Sequence, residues 1–193
     1  MKNICVFCGS SVGSDSRFVE AAKSLGRQLV SNNIQLIFGG GKVGLMGAIA
    51  DEVLARGGKA IGVIPDFLME KEVGHTGLTE MHIVESMHER KQKMAFLADG
   101  FIAMPGGFGT LEELAEILTW VQLELIRKPV ALLNVNGYYD GLLNQLDHMV
   151  ECHFLKPQNR ELILEIKKID TAVDQLKNYE FGDFSIWDKL EKM

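Results

Sequence analysis

Proline, cysteine and basic charge are all scarce in this sequence, and each shortage excludes a class of protein. The 193 residues include only 4 prolines, which excludes a disordered, proline-rich composition. The 20 Lys and Arg residues are outnumbered by 26 Asp and Glu, giving a formal net charge of −6. Because no excess of basic charge exists, we expect no nucleic-acid partner and no anionic membrane surface. Any phosphate group must therefore be held locally.

Long apolar runs are also missing. No apolar run approaches the ~18 residues of a membrane span, and the N-terminal apolar stretch at residues 4–7 is too short for a signal peptide. We therefore expect a cytoplasmic protein with no membrane partner.

The three cysteines, Cys5, Cys8 and Cys152, cannot all pair with one another. Cys5 and Cys8 have the C-x-x-C spacing of redox and metal sites. Their neighbours, however, are those of a buried β-strand, in which residues three apart point to opposite faces, whereas a redox pair lies at a helix N-terminus. We interpret both as buried apolar residues.

Short apolar segments alternate with amphipathic segments of helical period along most of the chain. Strands are predicted at residues 4–7, 34–38, 60–64, 82–84, 101–104 and 130–133. Helices are predicted around residues 18–29 and at 44–56, 86–98, 110–126 and 139–151. This alternation is typical of α/β proteins and predicts a single doubly wound, Rossmann-like domain with a mainly parallel sheet and helices on both faces.

We assign residues 1–178 to this domain and residues 179–193 to an aromatic C-terminal tail, which we expect to dock on the domain or on a partner. The tail contains Phe181, Phe184 and Trp187. In a doubly wound sheet, ligands bind at the carboxyl ends of the strands. Glycine- or serine-rich turns follow three such ends, at residues 9–11, 39–41 and 105–110.

The turn from Gly39 to Gly44 formally fits G-x-G-x-x-G, in which glycines let backbone amides approach a phosphate. The dinucleotide-binding version also needs an acidic residue about 20 positions further on, and Asp66 is the only fair candidate. A Walker A loop is excluded because Val43 follows Lys42 where that loop has Ser or Thr. Taken alone, the turn fits either phosphate binding or tight packing of a helix.

The turn from Pro105 to Thr110 is more informative. Its three glycines free the backbone between a strand and a helix, and Thr110 is predicted to be the helix N-cap. The amides of the first turn are then left to bind a phosphate. Glu113 follows Thr110 at the spacing of a capping box. Spacing alone favours capping for Glu113, and catalysis stays open.

Ser86 and Glu89 have the same spacing at the start of the preceding helix. This places Arg90 and Lys91 near the positive end of the helix dipole, where cations are disfavoured unless an anion is nearby. Because this helix leads into the strand that ends at Pro105, we expect Arg90 to reach the same sheet edge as that turn. A solvated surface pair is the alternative.

The helix that begins at Thr110 carries more apolar surface than one sheet face covers. Its apolar residues are Leu111, Leu114, Ile117, Leu118, Trp120, Val121, Leu123 and Leu125. A homodimer through this helix fits, and deep burial within a monomer is the alternative.

Four segments are specific in combination: Gly9-Ser10-Ser11, Gly39-Gly40-Gly41-x-x-Gly44-Leu45-Met46-Gly47, Met87-His88-Glu89-Arg90-Lys91 and Pro105-Gly106-Gly107-x-Gly109-Thr110-x-x-Glu113. In this order they closely resemble the LONELY GUY family of cytokinin riboside 5′-monophosphate phosphoribohydrolases. The resemblance covers residues 4–178. It implies a hydrolase that splits an N6-substituted adenosine 5′-monophosphate, and often AMP, into the free base and ribose 5-phosphate. It also implies dimers or larger assemblies, and neither a metal nor an organic cofactor.

The resemblance assigns roles to individual residues as well. Arg90 and Glu113 would be the catalytic pair, and residues 107–110 would cradle the phosphate. The substrate-binding residues that it implies are Ser10, Gly40, Gly41, Glu72, Lys91, Gly107, Phe108, Gly109, Thr110, Leu111, Glu112 and Thr119.

The implied chemistry suits these side chains. Cleavage of the N-glycosidic bond builds positive charge on the ribose, so a carboxylate such as Glu113 can stabilise it and orient or deprotonate water. Arginine keeps its proton, so Arg90 is expected to position the nucleotide or stabilise charge. Bacterial members of the LONELY GUY family are often labelled lysine decarboxylases. That reaction needs a lysine that forms a Schiff base with pyridoxal phosphate, and no motif in the sequence indicates such a lysine. A dinucleotide-binding oxidoreductase and a nucleotide sensor without turnover are the alternatives.

Overall fold

A seven-stranded sheet forms the centre of the protein in a computed structural model, which describes residues 1–69, 71 and 74–182. The strands are β1 (Asn3–Phe7), β2 (Gln35–Phe38), β3 (Ala60–Pro65), β4 (Glu80–Val84), β5 (Gly100–Ala103), β6 (Val130–Leu133) and β7 (Ile163–Ile166). The helices are α1 (Ser16–Ser31), α2 (Gly44–Ala55), α3 (Asp66–Met69), α4 (Met87–Leu97), α5 (Phe108–Gln122), α6 (Asp140–Glu151), α7 (Pro157–Arg160) and α8 (Ala172–Lys177).

The strands lie in the order β4-β3-β2-β1-β5-β6-β7, and each neighbouring pair is parallel. The chain therefore builds outward from β1 to β4 and then returns to the centre to place β5 beside β1. This reversal creates a crevice at the carboxyl ends of β1 and β5, where ligands bind in doubly wound sheets.

Helices cover both faces of the sheet, as the alternating pattern predicts. On one face, residues of α1, α2 and α8 pack with alternate strand residues, among them Leu25, Ile49, Val173, Ile4 and Leu36. On the other face, α4, α5 and α6 do the same, with Met94, Leu114, Leu143, Phe7 and Phe101. These two buried clusters confirm the doubly wound Rossmann-like fold.

Cys5 and Cys8 confirm the strand interpretation of the C-x-x-C segment. Both are buried, and they belong to the clusters on opposite faces of the sheet. Burial raises the pKa of both thiols, and the nearby negative charge of Glu113 raises them further. Neither thiol is therefore a ready nucleophile.

The last part of the domain is not predicted by the sequence pattern. β7 has only four residues, and Glu165 interrupts its apolar character. It lies at the sheet edge beside β6, where one flank of a strand has no neighbour and polar residues are tolerated. Helices α7 and α8 have only four and six residues, so their periodicity is too brief to be recognised.

Part of the C-terminal tail docks on the domain. Phe181 packs against the cluster that contains α5 and α6, and the Arg127 guanidinium carbon lies 5.4 Å from the centre of its ring. Tyr179 contacts the same ring edge-on, at 5.0 Å between centroids. Phe184 and Trp187 lie outside the described residues.

Within residues 1–69, 71 and 74–182, no helix is both long and apolar enough to span a membrane.

Candidate active site

A cleft of about 220 Å³ opens where the strand order reverses between β1 and β5. Its walls come from the ends of β1 and β2, from the first turns of α2 and α4, and from the start of α5. The residues lining it are Val6, Phe7, Cys8, Gly9, Ser10, Gly39, Met46, Arg90, Gly107, Phe108, Gly109, Thr110 and Glu113. The cleft thus brings together Ser10, residues 107–110 and the two predicted catalytic residues, Arg90 and Glu113. Their meeting at this sheet edge agrees with the expectation from the sequence.

Helix α5 begins earlier than its sequence suggests. Gly107 is its N-cap, without a side-chain cap hydrogen bond, so the prediction that Thr110 caps this helix is wrong. Thr110 is instead buried in the first turn, against the preceding turn: a Cβ on Gly106 would lie 2.1 Å from its hydroxyl oxygen. Because Thr110 is not the N-cap, the predicted capping box with Glu113 is also wrong.

The first turn of α5 exposes the groups that commonly bind anions in proteins. Its backbone N–H groups have no acceptor within the helix, and the positive end of the helix dipole lies at the same place. The residues of this turn line the cleft. Phe108 is 93% exposed and also lines the cleft, so it borders the space that a ligand would enter.

Arg90 projects from the first turn of α4 and is only 6% exposed. Its Nε donates to the carbonyl oxygen of Val63 at 3.1 Å, and its Nη2 donates to that of Gly39 at 3.0 Å. These carbonyls belong to β3 and to the turn after β2. Two fixed acceptors therefore orient the guanidinium, and a Cβ on residue 39 would lie 1.9 Å from Nη2.

The helix start that carries Arg90 follows the predicted capping pattern in part. The hydroxyl of Ser86 accepts a hydrogen bond from the Glu89 N–H at 3.2 Å. The carboxylate of Glu89, however, accepts from the N–H of Glu85 at 2.9 Å, one residue before the cap.

Glu113 lines the cleft together with Arg90. Both charges act on the same buried thiol in β1. Burial raises the pKa of Cys5 most, Glu113 raises it further, and Arg90 lowers it. A carboxylate and a guanidinium therefore lie within electrostatic range of the Cys5 thiol, in the middle of β1.

Lys91 points away from the cleft, toward α5. Its ammonium group pairs with the carboxylates of Glu112 and Glu116, the second at 3.1 Å. Burial lowers the pKa of Lys91, but the two carboxylates outweigh burial, and the pKa is raised overall. In this structure Lys91 and Glu112 therefore join α4 to α5 and do not line the cleft.

Other predicted substrate residues also lie away from the cleft. The hydroxyl of Thr119 donates to the Ala115 carbonyl within α5 at 2.8 Å, and Leu111 packs against the apolar cluster. Gly40 accepts a hydrogen bond from the His75 N–H at 2.9 Å, and Gly41 pairs with Gly74. The two glycines thus hold the segment after β3. Glu72 lies outside the described residues.

The first turn of α2 contributes to the cleft through Met46, to which the sequence motifs assign no role. The N–H of Leu45 donates to the carbonyl of Gly9 at 3.0 Å. Gly44 has a φ of +67°, and a Cβ there would lie 2.2 Å from the Ser10 carbonyl carbon. Glycine at position 44 therefore lets the first two turns pack together.

Comparison with known proteins identifies the family. A family model described as possible lysine decarboxylase matches residues 46–176. The chain is 46% identical over 197 residues to cytokinin riboside 5′-monophosphate phosphoribohydrolase LOG7 of Arabidopsis thaliana, covering 100% of this chain and 91% of that protein. It is 48% identical over 178 residues to cytokinin riboside 5′-monophosphate phosphoribohydrolase LOG1 of the same plant, covering 92% of this chain and 84% of that protein. The chain belongs to the cytokinin riboside 5′-monophosphate phosphoribohydrolase family.

Solved structures share the fold of this phosphoribohydrolase-family chain at lower identity. The molybdenum cofactor carrier protein of Chlamydomonas reinhardtii superposes with a TM-score of 0.68 at 19% identity, covering 100% of this chain and 99% of that one. The X-ray structure of TM1055 gives a TM-score of 0.72 at 22% identity, covering 93% of this chain and 100% of that one. At these identities the likeness shows a common fold alone.

Proposed function

We propose that this protein hydrolyses the N-glycosidic bond of AMP and of N6-substituted adenosine 5′-monophosphates, releasing the free base and ribose 5-phosphate. The observation that carries the proposal is the cleft at the carboxyl ends of β1 and β5. It combines an anion-binding helix start, a carboxylate and a buried guanidinium. The family membership supports the same reaction.

The 5′-phosphate is assigned to the start of α5. Gly107, Gly109 and their neighbours offer backbone N–H groups there. This local arrangement agrees with a net charge of −6, since no basic surface is needed to hold one phosphate. The exposed ring of Phe108 is placed to contact the bound nucleotide.

The anomeric carbon is assigned to the neighbourhood of Glu113. An α-helix rises about 1.5 Å per residue, so Glu113 lies roughly 6 Å along α5 from Gly109. This separation suits a nucleotide whose phosphate is at the first turn and whose C1′ is near the carboxylate. Glu113 then stabilises the positive charge that builds on the ribose as the base leaves, and orients or deprotonates the attacking water.

Arg90 acts as a fixed positive charge in this proposal. Arginine keeps its proton in proteins, so Arg90 binds or neutralises a negative group of the nucleotide and does not transfer a proton. Its two carbonyl partners hold the guanidinium before substrate arrives, which reduces the ordering needed on binding.

Homodimer assembly, a cytoplasmic location and substrate contacts by Lys91, Thr119 and Glu72 stay predictions. The dimer prediction is supported by the end of α5, beyond which Leu125 is 67% exposed. Leu114 and Val121, by contrast, are buried within the single chain.

The decarboxylase description is not supported by the cleft. Lysine decarboxylation requires an amine to hold pyridoxal phosphate, and the cleft residues within the described part of the chain include no lysine. A dinucleotide oxidoreductase is disfavoured as well. Its ribose acid would be Asp66, which does not line the cleft.

Base release from three substrates tests the proposal. The protein is incubated separately with AMP, N6-isopentenyladenosine 5′-monophosphate and adenosine, and free base is measured by chromatography. We expect release from both monophosphates, with kcat/KM at least about 10-fold lower for adenosine, because binding energy from a remote group lowers the barrier of the reacting bond. No release from either monophosphate would overturn the proposal, and tight NADH binding would favour an oxidoreductase.

A further inference from the structure

The turn that leads into α5 is held by two neighbouring tyrosines from outside the cleft. The hydroxyl of Tyr139 donates to the carbonyl oxygen of Met104 at 2.6 Å, and that of Tyr138 donates to the carbonyl oxygen of Gly106 at 2.5 Å. Both tyrosines follow β6, so they belong to a different part of the sheet edge from the turn that they contact.

The carbonyl between these two is fixed as well. Pro105 accepts a hydrogen bond from the N–H of Gly9 at 3.0 Å. Three consecutive carbonyls of the turn, at residues 104–106, are therefore held by donors from the turns after β1 and β6. The backbone path is set before α5 begins.

The contact from Tyr138 has a direct consequence for the cleft. The carbonyl of Gly106 and the N–H of Gly107 belong to one planar trans peptide and point in opposite directions. Glycine on both sides of this peptide leaves its rotation weakly restricted. The hydrogen bond from Tyr138 thus orients the N–H of Gly107, a residue that lines the cleft.

The two tyrosines differ in what they do for the fold. Tyr139 is 1% exposed, so its hydroxyl is a buried donor with one buried acceptor. Tyr138 is 45% exposed. Its ring is held edge-on by Phe18, at 5.7 Å between centroids, and by Tyr139, at 4.9 Å. Removing the Tyr138 hydroxyl leaves these ring contacts in place, and water can reach the freed carbonyl.

We propose that Tyr138 is a positioning residue for phosphate binding, acting through the Gly106 carbonyl on the direction of the Gly107 N–H. This inference rests on the proposed function, in which the cleft binds a nucleoside 5′-monophosphate. Hydrogen bonds weaken steeply when the donor is misaligned, so a peptide free to rotate binds the phosphate less tightly. The base and ribose contacts do not depend on this peptide.

The test measures the Kd for AMP and for adenosine by calorimetric titration of proteins with and without Tyr138→Phe, both carrying Glu113→Gln so that AMP is not hydrolysed during the titration. We expect the Kd for AMP to rise roughly 3- to 10-fold, the effect of about one net hydrogen bond, with the Kd for adenosine unchanged. In turnover, KM for AMP should rise while kcat stays within about twofold. Tyr179→Phe is the matched control, because the Tyr179 hydroxyl donates to the backbone carbonyl oxygen of Glu161 at 3.3 Å, outside the cleft.

Unchanged affinity of Tyr138→Phe for AMP overturns the inference. An equal loss for AMP and adenosine also overturns it, because a general change in cleft shape would then explain both. No AMP binding by the wild-type protein overturns it together with the proposed function. A wild-type protein that binds AMP but releases no base contradicts the proposed function alone, since the affinity difference still decides the role of Tyr138.

Discussion

Glu113→Gln is expected to lower kcat for base release from AMP by at least about 100-fold, the lower range for losing a positioned acid–base group. Glutamine keeps the size of the side chain and its place in α5 but removes the negative charge. The charge is what stabilises the ribose cation and activates water. Single-turnover and steady-state assays measure kcat, and titration with AMP measures whether binding is retained.

The matched control for this variant is Glu116→Gln. Glu116 lies one helical turn further along α5 and pairs with Lys91 at 3.1 Å instead of lining the cleft. The kcat of the Glu116→Gln protein should remain within about threefold of the wild-type value, since Lys91 keeps Glu112 as a partner. A Glu113→Gln protein with wild-type kcat would assign Glu113 a structural role and remove it from the mechanism.

Arg90→Lys is expected to lower kcat/KM by roughly 10- to 100-fold, although the charge is kept. A lysine ammonium cannot reproduce the planar fork that bonds Val63 and Gly39 while presenting charge to the cleft. The free energy of unfolding should fall by about 1–3 kcal/mol, because a buried carbonyl loses its donor. Steady-state kinetics and urea denaturation measure the two effects separately.

A second variant distinguishes placement of the guanidinium from its presence. Gly39→Ala keeps Arg90 but puts a Cβ 1.9 Å from Nη2, so the guanidinium must move and kcat/KM should fall with it. Arg56→Lys controls for arginine replacement in an exposed ion pair with Glu52, and Gly141→Ala controls for alanine where nothing lies within 4 Å of the added Cβ. If Arg90→Lys and Gly39→Ala lose stability but keep kcat/KM, Arg90 holds the fold and does not act on the nucleotide.

Much of the architecture follows from local sequence patterns. Buried parallel strands are short continuous apolar runs, which is why residues 4–7 and 101–104 correspond closely to β1 and β5. The opposite burial of Cys5 and Cys8 follows from the period of a strand. The site could be located in outline for the same reason, because glycine-rich turns at strand ends meet wherever parallel strands adjoin.

The sequence misleads where tertiary contacts outweigh a local preference. Thr110 is a favoured capping residue, yet it packs against Gly106 and leaves the N-cap to Gly107, which makes no side-chain cap hydrogen bond. Lys91 follows Arg90 directly, but consecutive helical residues face different directions. Strand order brings Arg90 to the carbonyls of Val63 and Gly39 and brings Tyr138 to the carbonyl of Gly106. Local periodicity does not encode this order.

The most direct test of the proposed hydrolysis is to quantify both products of one reaction on N6-isopentenyladenosine 5′-monophosphate. Samples from a single time course are analysed for free base and for ribose 5-phosphate. The proposed mechanism predicts that the two appear in equal molar amounts and at equal rates, with neither nucleoside nor inorganic phosphate formed. Release of inorganic phosphate with the intact nucleoside, or no consumption of the nucleotide, would contradict it.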